Sequence, residues 1–244
     1  MNLRMGTLLL AALSFGLAAL PLQAQKPLQV ASGEILVDDF EDYEHEGLPT
    51  QWKYLDANKD VVFVKDEHMR PNERFFIVEE DGNKFVRAYA NGEAVRVIMP
   101  TQEQGLRWNL DTHPRLRWQW RAVALPEGAD ETKKKLNDTG GAVYVVFSVS
   151  RIFGPKTIKY TYSSTQPVGT VTSYNWGRMK VMVVASGADG FGQWVNIDRD
   201  IVADYRTVFK KDPPNEPLTI MLWSDSDDTE QVAEVDFDNI VLSN

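Results

Sequence analysis

Three groups of side chains in this 244-residue sequence have the types and spacing to do chemistry. The first is Glu234-Val235-Asp236-Phe237-Asp238, where acids alternate with apolar residues. On an extended strand this puts three carboxylates on one face, neighbours lying ~6.5–7 Å apart. Retaining glycosidases need carboxyl pairs ~5–5.5 Å apart and inverting ones ~6.5–9.5 Å, so the spacing admits hydrolysis. With Val235 and Phe237 between them, the acids equally describe an ordinary strand whose outer face is acidic.

The second group could bind a polar ligand. Pro114–Leu125 reads PRLRWQWRAVAL, which places Arg117, Gln119 and Arg121 on one strand face and Leu116, Trp118, Trp120 and Ala122 on the other. Asp225 and Asp227 share a face at the end of a later strand, and Asp138 precedes another. On the concave side of a jelly roll these residues could line a groove that fixes sugar hydroxyls, with Tyr160, Tyr162 or Trp176 as a stacking platform. Arginine–carboxylate pairing within a structural network is the competing reading. The third group is a cation site. Calcium takes six to eight oxygens from converging segments. Glu41 and Asp238, with Asp39 beside them, would supply such oxygens if the first and last strands pair; solvent-facing strand-end acids are the alternative. His45, His68 and His113 are scattered and there is no Cys, which argues against zinc. No GxSxG elbow, Walker loop, HExxH or dinucleotide fingerprint is present.

The elements that must position these groups are mostly strands. The period-two pattern of Arg115–Ala122 predicts a central strand whose two indoles need a thick core opposite. Ala142–Ser150 is almost continuously apolar, as expected of a strand buried on both faces. Further strands are expected over Glu34–Phe40, Gln51–Leu55, Val61–Lys65, Thr157–Tyr162, Arg178–Ala185, Gln193–Ile197, Leu218–Trp223 and Ala233–Leu242. Arg74–Glu80, Lys84–Ala90 and Ala94–Met99 are separated by Asp81-Gly82-Asn83 and Asn91-Gly92, turn signals that predict a three-strand meander. One helix is expected over Asp200–Lys211, capped by Asp198 or Asp200 and stopped by Pro213-Pro214. A dozen strands and one short helix indicate an all-β, antiparallel sandwich of jelly-roll type, in the manner of carbohydrate-binding modules or concanavalin-like folds. The first and last strands are expected to be neighbours.

Composition sets the surroundings. Asn2-Leu3-Arg4, the apolar run Leu8–Leu20 and Leu22-Gln23-Ala24 read as an export signal cleaved near Ala24. The run is shorter than the ~20 residues of a membrane span, and without Cys a lipoprotein anchor is excluded. The expected product is periplasmic or extracellular: a flexible leader over 25–33, then a single domain over 34–244. Losing the signal removes one charge, Arg4, and leaves the remainder more acidic than the whole chain's net −9. That balance excludes a nucleic-acid partner and disfavours anionic membrane surfaces. Lys133-Lys134-Lys135 reads as a solvated run in a charged loop.

Several runs resemble a bacterial family catalogued as domain of unknown function 3047. They are Leu116–Arg121 (LRWQWR), Leu125–Asp130, Val143–Phe147 (VYVVF), Ile158-Lys159-Tyr160, Gln166–Thr170, Val183–Gly187 (VVASG), Gln193-Trp194-Val195, the Asp200–Phe209 helix and Met221–Thr229 (MLWSDSDDT). The resemblance runs in order over Ile35–Val241. It implies an exported β-sandwich and no activity. Asp138, Asp225, Asp227 and Asp228 keep acids that the family tends to carry. Phe40-Glu41 and Asp238-Asn239-Ile240 are also similar to the first and last strands of jelly-roll carbohydrate-binding modules, an analogy of fold only. The expected function is non-catalytic binding of a glycan or similar polar ligand, with a structural calcium. The alternatives are a glycoside hydrolase or lyase using strand-face carboxylates, and a structural envelope-associated module with no small-molecule site.

Overall fold

Alternation of apolar and polar residues builds two sheets that share one core. The structure is a computed structural model that describes residues 30–55, 60–103, 105–187 and 190–244. The expected export signal, and the leader up to residue 29, lie outside the described residues. The strands are β1 (Ile35–Asp38), β2 (Lys53–Leu55), β3 (Val61–Phe63), β4 (Glu73–Glu80), β5 (Asn83–Asn91), β6 (Ala94–Pro100) and β7 (Arg115–Ala124). They continue as β8 (Thr139–Ser150), β9 (Gly154–Ser163), β10 (Val171–Tyr174), β11 (Met179–Ser186), β12 (Val195–Asp200), β13 (Thr219–Asp225) and β14 (Val232–Ser243). The helix α1 (Ile201–Phe209) follows β12 directly.

The first sheet has the order β12-β7-β14-β5-β4, with β1 also on β14; the second has the order β10-β11-β9-β8-β13-β6-β2-β3. From β5 onward the chain repeatedly changes sheets: β6 is in the second, β7 in the first, β8 in the second, β12 in the first, β13 in the second and β14 in the first. This exchange is the jelly-roll character expected from the sequence. The pairing of first and last strands is also found, Ile35 opposite Leu242.

The core is the contact between the inner faces. Trp118 and Trp120 meet edge to face at 5.4 Å. Across the gap Trp118 packs on Tyr160 at 5.7 Å, and Trp120 on Tyr162 at 5.4 Å. Phe237 from β14, Val143, Val145 and Phe147 from β8, and Ile220 and Leu222 from β13 complete the layer. Helix α1 closes one end. Its N-terminus is capped by the Asp200 carboxylate, which accepts from the Ala203 N–H at 2.8 Å, and Lys210 ends it in the left-handed region. Tyr205 of the helix lies edge-on to Phe147 at 4.6 Å.

Two details depart from the sequence expectation. Asp81 and Gly82, at φ 53° and 78°, make the β4–β5 hairpin. Asn91-Gly92 makes no hairpin. The open edge of β5 is taken by β14, with Ala90 opposite Ala233, so β6 crosses to the other sheet and pairs with β13. The Asn-Gly turn therefore rounds a corner of the sandwich, and the meander ends after two strands. Nor is every pairing antiparallel. The chain leaves β9, runs to the sheet edge as β10 and returns as β11 beside β9, so β9 and β11 are parallel. Among the described residues no helix is long and apolar enough to cross a membrane.

Replacing Trp118 or Trp120 with Ala should cost about 3–5 kcal/mol as cavities open in the core. Denaturant melts read this directly; unchanged stability would refute the interlock.

Candidate functional site

The sandwich has two outer faces, and the candidate residues divide between them. On the first sheet, Arg117, Gln119 and Arg121 point outward as expected, and each is engaged. Arg121 bonds Asp236 through Nη2 at 2.7 Å and Glu80 through Nη1 at 2.9 Å. Arg87 grips the other side of Asp236, Nε to Oδ1 at 2.6 Å, and reaches Glu234 at 3.1 Å. The Arg121 guanidinium lies 4.9 Å from the Trp194 ring and 5.1 Å from Phe85, two rings that themselves meet edge to face. Burial works against the charge of both arginines, and the carboxylates around them more than restore it. Arg117 pairs with Glu34 at 2.6 Å. Gln119 donates to Asn196 at 2.6 Å and accepts from Asn239 at 2.8 Å. Around Arg121 the face is closed by its own network, while Arg117, Gln119, Asn196 and Asn239 border a cavity of about 250 Å³.

That network corrects the hydrolysis reading. Asp236 has no exposed surface, and its two oxygens take guanidinium N–H groups from both Arg87 and Arg121. Asp238 is equally enclosed and accepts from the Asn83 amide at 3.0 Å and the Asn239 backbone at 2.7 Å. With Glu234 on Arg87, the three strand-face carboxylates are held as structural partners. The expected calcium pair is corrected on the same ground. Asp238 faces N–H donors, and Glu41 accepts the Lys84 N–H at 3.0 Å while the Lys84 amine bonds the Glu41 and Tyr43 carbonyls. Among the described residues, neither acid belongs to a group of three or more whose oxygens converge. Tyr160 and Tyr162 are corrected too: both have no exposed surface and lie between the sheets, so neither can stack on a ligand. They share the parity of Ile158, which is the signal that places them inside. Trp176 is 89% exposed, but it sits at the β10–β11 turn, between Asn175 and Gly177, all three in the left-handed region.

Asp138, Asp225 and Asp227 do come together, on the second sheet's outer face and far from the arginines of β7. Strand register explains what surrounds them. Tyr144 lies opposite Lys159 on one side and Met221 on the other, and Trp223 lies opposite Arg96. These side chains point away from the core, and Asp225 follows Trp223 two positions on. The Arg96 guanidinium sits 4.7 Å from the Trp223 ring, Tyr144 packs on Trp223 at 5.2 Å, and the Lys159 amine lies 5.8 Å from the Tyr144 ring. Arg96 and Trp223 remain half-buried, whereas Lys159 is only 2% exposed. Glu131 walls the far side, its carboxylate accepting from Thr161 at 3.1 Å and Ser163 at 2.6 Å, while its carbonyl accepts from Tyr174. Burial opposes the Lys159 charge, but Tyr144, Asp225 and Glu131 around it hold the ammonium firmly protonated. Asp225 is pushed up to about 7, chiefly by burial; Lys159 pulls it down, and Asp227 and Asp138 push it up. Sequence reasoning found the acids and missed Arg96, Tyr144, Lys159 and Trp223. Their outward parity was legible, but their convergence depends on β13 lying between β6 and β8.

Fold and faces together define an all-β sandwich with an ion-paired first sheet and a second sheet whose outer side carries an aromatic, charged cluster. The chain belongs to the family described as "Protein of unknown function (DUF3047)", which matches residues 60–241. No curated protein matches it. Among solved structures it is similar to the family 11 carbohydrate-binding module of the cellulosomal cellulase Lic26A-Cel5E of Clostridium thermocellum, at 12% identity, over 88% of this chain and 96% of that one, with a TM-score of 0.42. A Clostridium thermocellum family 11 module in complex with a β-1,3-1,4-mixed-linked tetrasaccharide is similar at 11% identity, over 88% and 98% of the chains, TM-score 0.42. The family 30 module of the Clostridium thermocellum cellulase Cel9D-Cel44B is similar at 12% identity, over 86% and 97%, TM-score 0.42. Likeness at this level leaves function to be read from the residues themselves.

Two outcomes test these faces. Asp236→Ala leaves two guanidinium groups partly buried without their carboxylate and should cost about 3–5 kcal/mol by chemical denaturation. Asp225 has a folded value above its ordinary 3.8, so its contribution is fully present below about pH 4 and is lost as pH rises to about 7. In chelator, Asp225→Asn should therefore gain thermal stability over the parent at pH 8 but not at pH 4. An equal difference at both pH values would contradict the assignment.

Proposed function

We propose that this chain is a non-catalytic binding protein for a glycan or similar polar ligand, taken on the outer face of the second sheet. The observation that carries the reading is the cluster of Trp223, Tyr144, Arg96, Lys159 and Asp225. Trp223 and Arg96 are its half-buried members and reach solvent, stacked over a buried layer of Tyr144, Lys159 and Asp225. Sugars offer both an apolar C–H surface and hydroxyls, and the accessible pair addresses each: the Trp223 ring the first, the Arg96 guanidinium the second. The reading includes export, which rests on the sequence over Met1–Ala24 and would bring the protein to periplasmic or extracellular glycans. The family 11 module bound to a tetrasaccharide is an instance of the ligand class in another protein. The ion network of the first sheet, with Asp236 clamped by Arg87 and Arg121, favours instead a structural envelope-associated module, and the same experiment separates the two.

A glycan array with the protein lacking Met1–Ala24 should return one oligosaccharide class. Titration of that class should show affinity at least about tenfold weaker, roughly 1.4 kcal/mol, in Arg96→Ala and Trp223→Phe, with Arg117→Ala unchanged. An array without hits, or hits bound equally by all three variants, would leave the structural module standing.

A further inference from the structure

The loop that joins β13 to β14 begins Asp225-Ser226-Asp227-Asp228-Thr229, and it folds against Asp138, which precedes β8. Asp138 is fully buried and accepts from the Asp228 N–H at 3.1 Å, the Thr229 N–H at 2.7 Å and the Thr229 hydroxyl at 2.5 Å. These bonds hold the loop so that one carboxylate oxygen each from Asp138, Asp227 and Asp228 lies within 4.8 Å of the others. Acids crowded this way are common on acidic proteins, and the crowding alone says little.

The independent observation is Asp225. It keeps only 8% of its surface exposed, and its Oδ1 has no hydrogen-bond partner. It stands outside the trio of converging oxygens but adjoins it, within hydrogen-bonding reach of the Asp227 carboxylate. A buried oxygen without a donor carries a desolvation cost of about 1–3 kcal/mol or more for a charged group, so a natural site normally supplies it with something positive. Lys159 is the nearest buried cation, yet it forms no ion pair within 4.0 Å of Asp225. Lys134 acts on Asp228 only through space.

We propose that Asp138, Asp227 and Asp228 form a calcium site at the point where β13 leaves the sheet, with Asp225 beside it. The donors are all hard oxygens drawn from two separate segments, which selects calcium or magnesium over zinc or copper. At ~2.4 Å from the ion, ligands on opposite sides of one calcium lie ~4.8 Å apart, which is the limit the three oxygens respect. Asp138 and Asp225 are fixed in or beside the strands, whereas Asp227 and Asp228 are exposed on the loop and open to water ligands. The site would tie the β13–β14 loop to the segment before β8. It stands whether or not the neighbouring face binds a glycan.

Calcium titration of the metal-stripped full chain by calorimetry, with terbium luminescence sensitised by Trp223 as a second readout, tests this. One site with a dissociation constant in the ~10⁻⁴–10⁻³ M range or tighter is expected, as for extracellular modules, together with a higher melting temperature in calcium than in chelator. Asp227→Asn changes an exposed side chain and should keep the fold by circular dichroism while weakening binding at least about tenfold. Asp227→Asn with Asp228→Asn should abolish it, and Glu41→Gln should leave it unchanged. No binding at millimolar calcium, undiminished binding in the folded double variant, or loss in Glu41→Gln would each overturn the proposal. Failure of the glycan array with calcium binding intact would sink only the ligand reading.

Discussion

The structure depends on one contact: the indoles of Trp118 and Trp120 packed across the sandwich against the rings of Tyr160 and Tyr162. Aromatic side chains of this size bury roughly 150–250 Å² each, so four of them fix the distance and register between the sheets. They also fix parity. Once positions 118 and 120 of β7 are inside, Arg117, Gln119 and Arg121 must be outside. Once 160 and 162 of β9 are inside, Lys159 and Thr161 must face the other way. Both outer faces inherit their chemistry from this choice, because a one-residue slip would exchange arginine for indole in β7 and lysine for tyrosine in β9.

The two faces meet the problem of charge in opposite ways. On the first sheet every charge brought out of water is returned a partner, and Arg87, Asp236 and Arg121 lock three adjacent strands, β5, β14 and β7, to each other. A buried ion triad of this kind adds little net stability, because desolvation offsets the attraction; its effect is to make any other strand register leave charges unpaired. The second sheet keeps an imbalance. Lys159 and Glu131 are satisfied, whereas Asp225 ends in an oxygen with nothing to accept from. Rigid closure on one side and an unmet electrostatic demand on the other is the asymmetry expected of a scaffold and its site.

Much of this was legible from alternation alone. The face assignment within PRLRWQWRAVAL, the capped helix after Asp200 and the pairing of the first and last strands follow from local pattern and are found; of AVYVVFSVS the stretch to Phe147 is buried on both faces, while Val149 is exposed. What failed was whatever depended on which strand lies beside which. Asn91-Gly92 has the chemistry of a hairpin turn, but β14 competes for the edge of β5 and wins, pairing with it from Val232 to Phe237 with apolar and ionic complementarity. Tyr160 and Tyr162 were assigned to a ligand although they alternate in phase with Ile158, a signal present in the sequence and outweighed by their polar tips. Glu41 and Asp238 do approach the same corner, yet Asn83 and Lys84 arrive there with N–H donors that nothing in the local sequence announces. Arg96, Trp223 and Tyr144 sit 127 residues apart at their extremes and meet only because β13 is inserted between two strands made much earlier.

That insertion has a kinetic side. The β8–β9 hairpin can form early from a short connection, but β14 must find β5 and β7 across long stretches of chain, as the Asn83–Asp238 bond across 155 residues illustrates. Closing such distant loops is uphill in entropy until several pairings cooperate, which places folds of this connectivity among the millisecond-to-second folders. Until the last strand docks, the edges of β5 and β7 stand open, and the nascent chain is then most vulnerable to pairing with a neighbour. The arginines on those two strands keep that interval safer, since like charges repel a second copy of the same edge before Asp236 arrives to neutralise them.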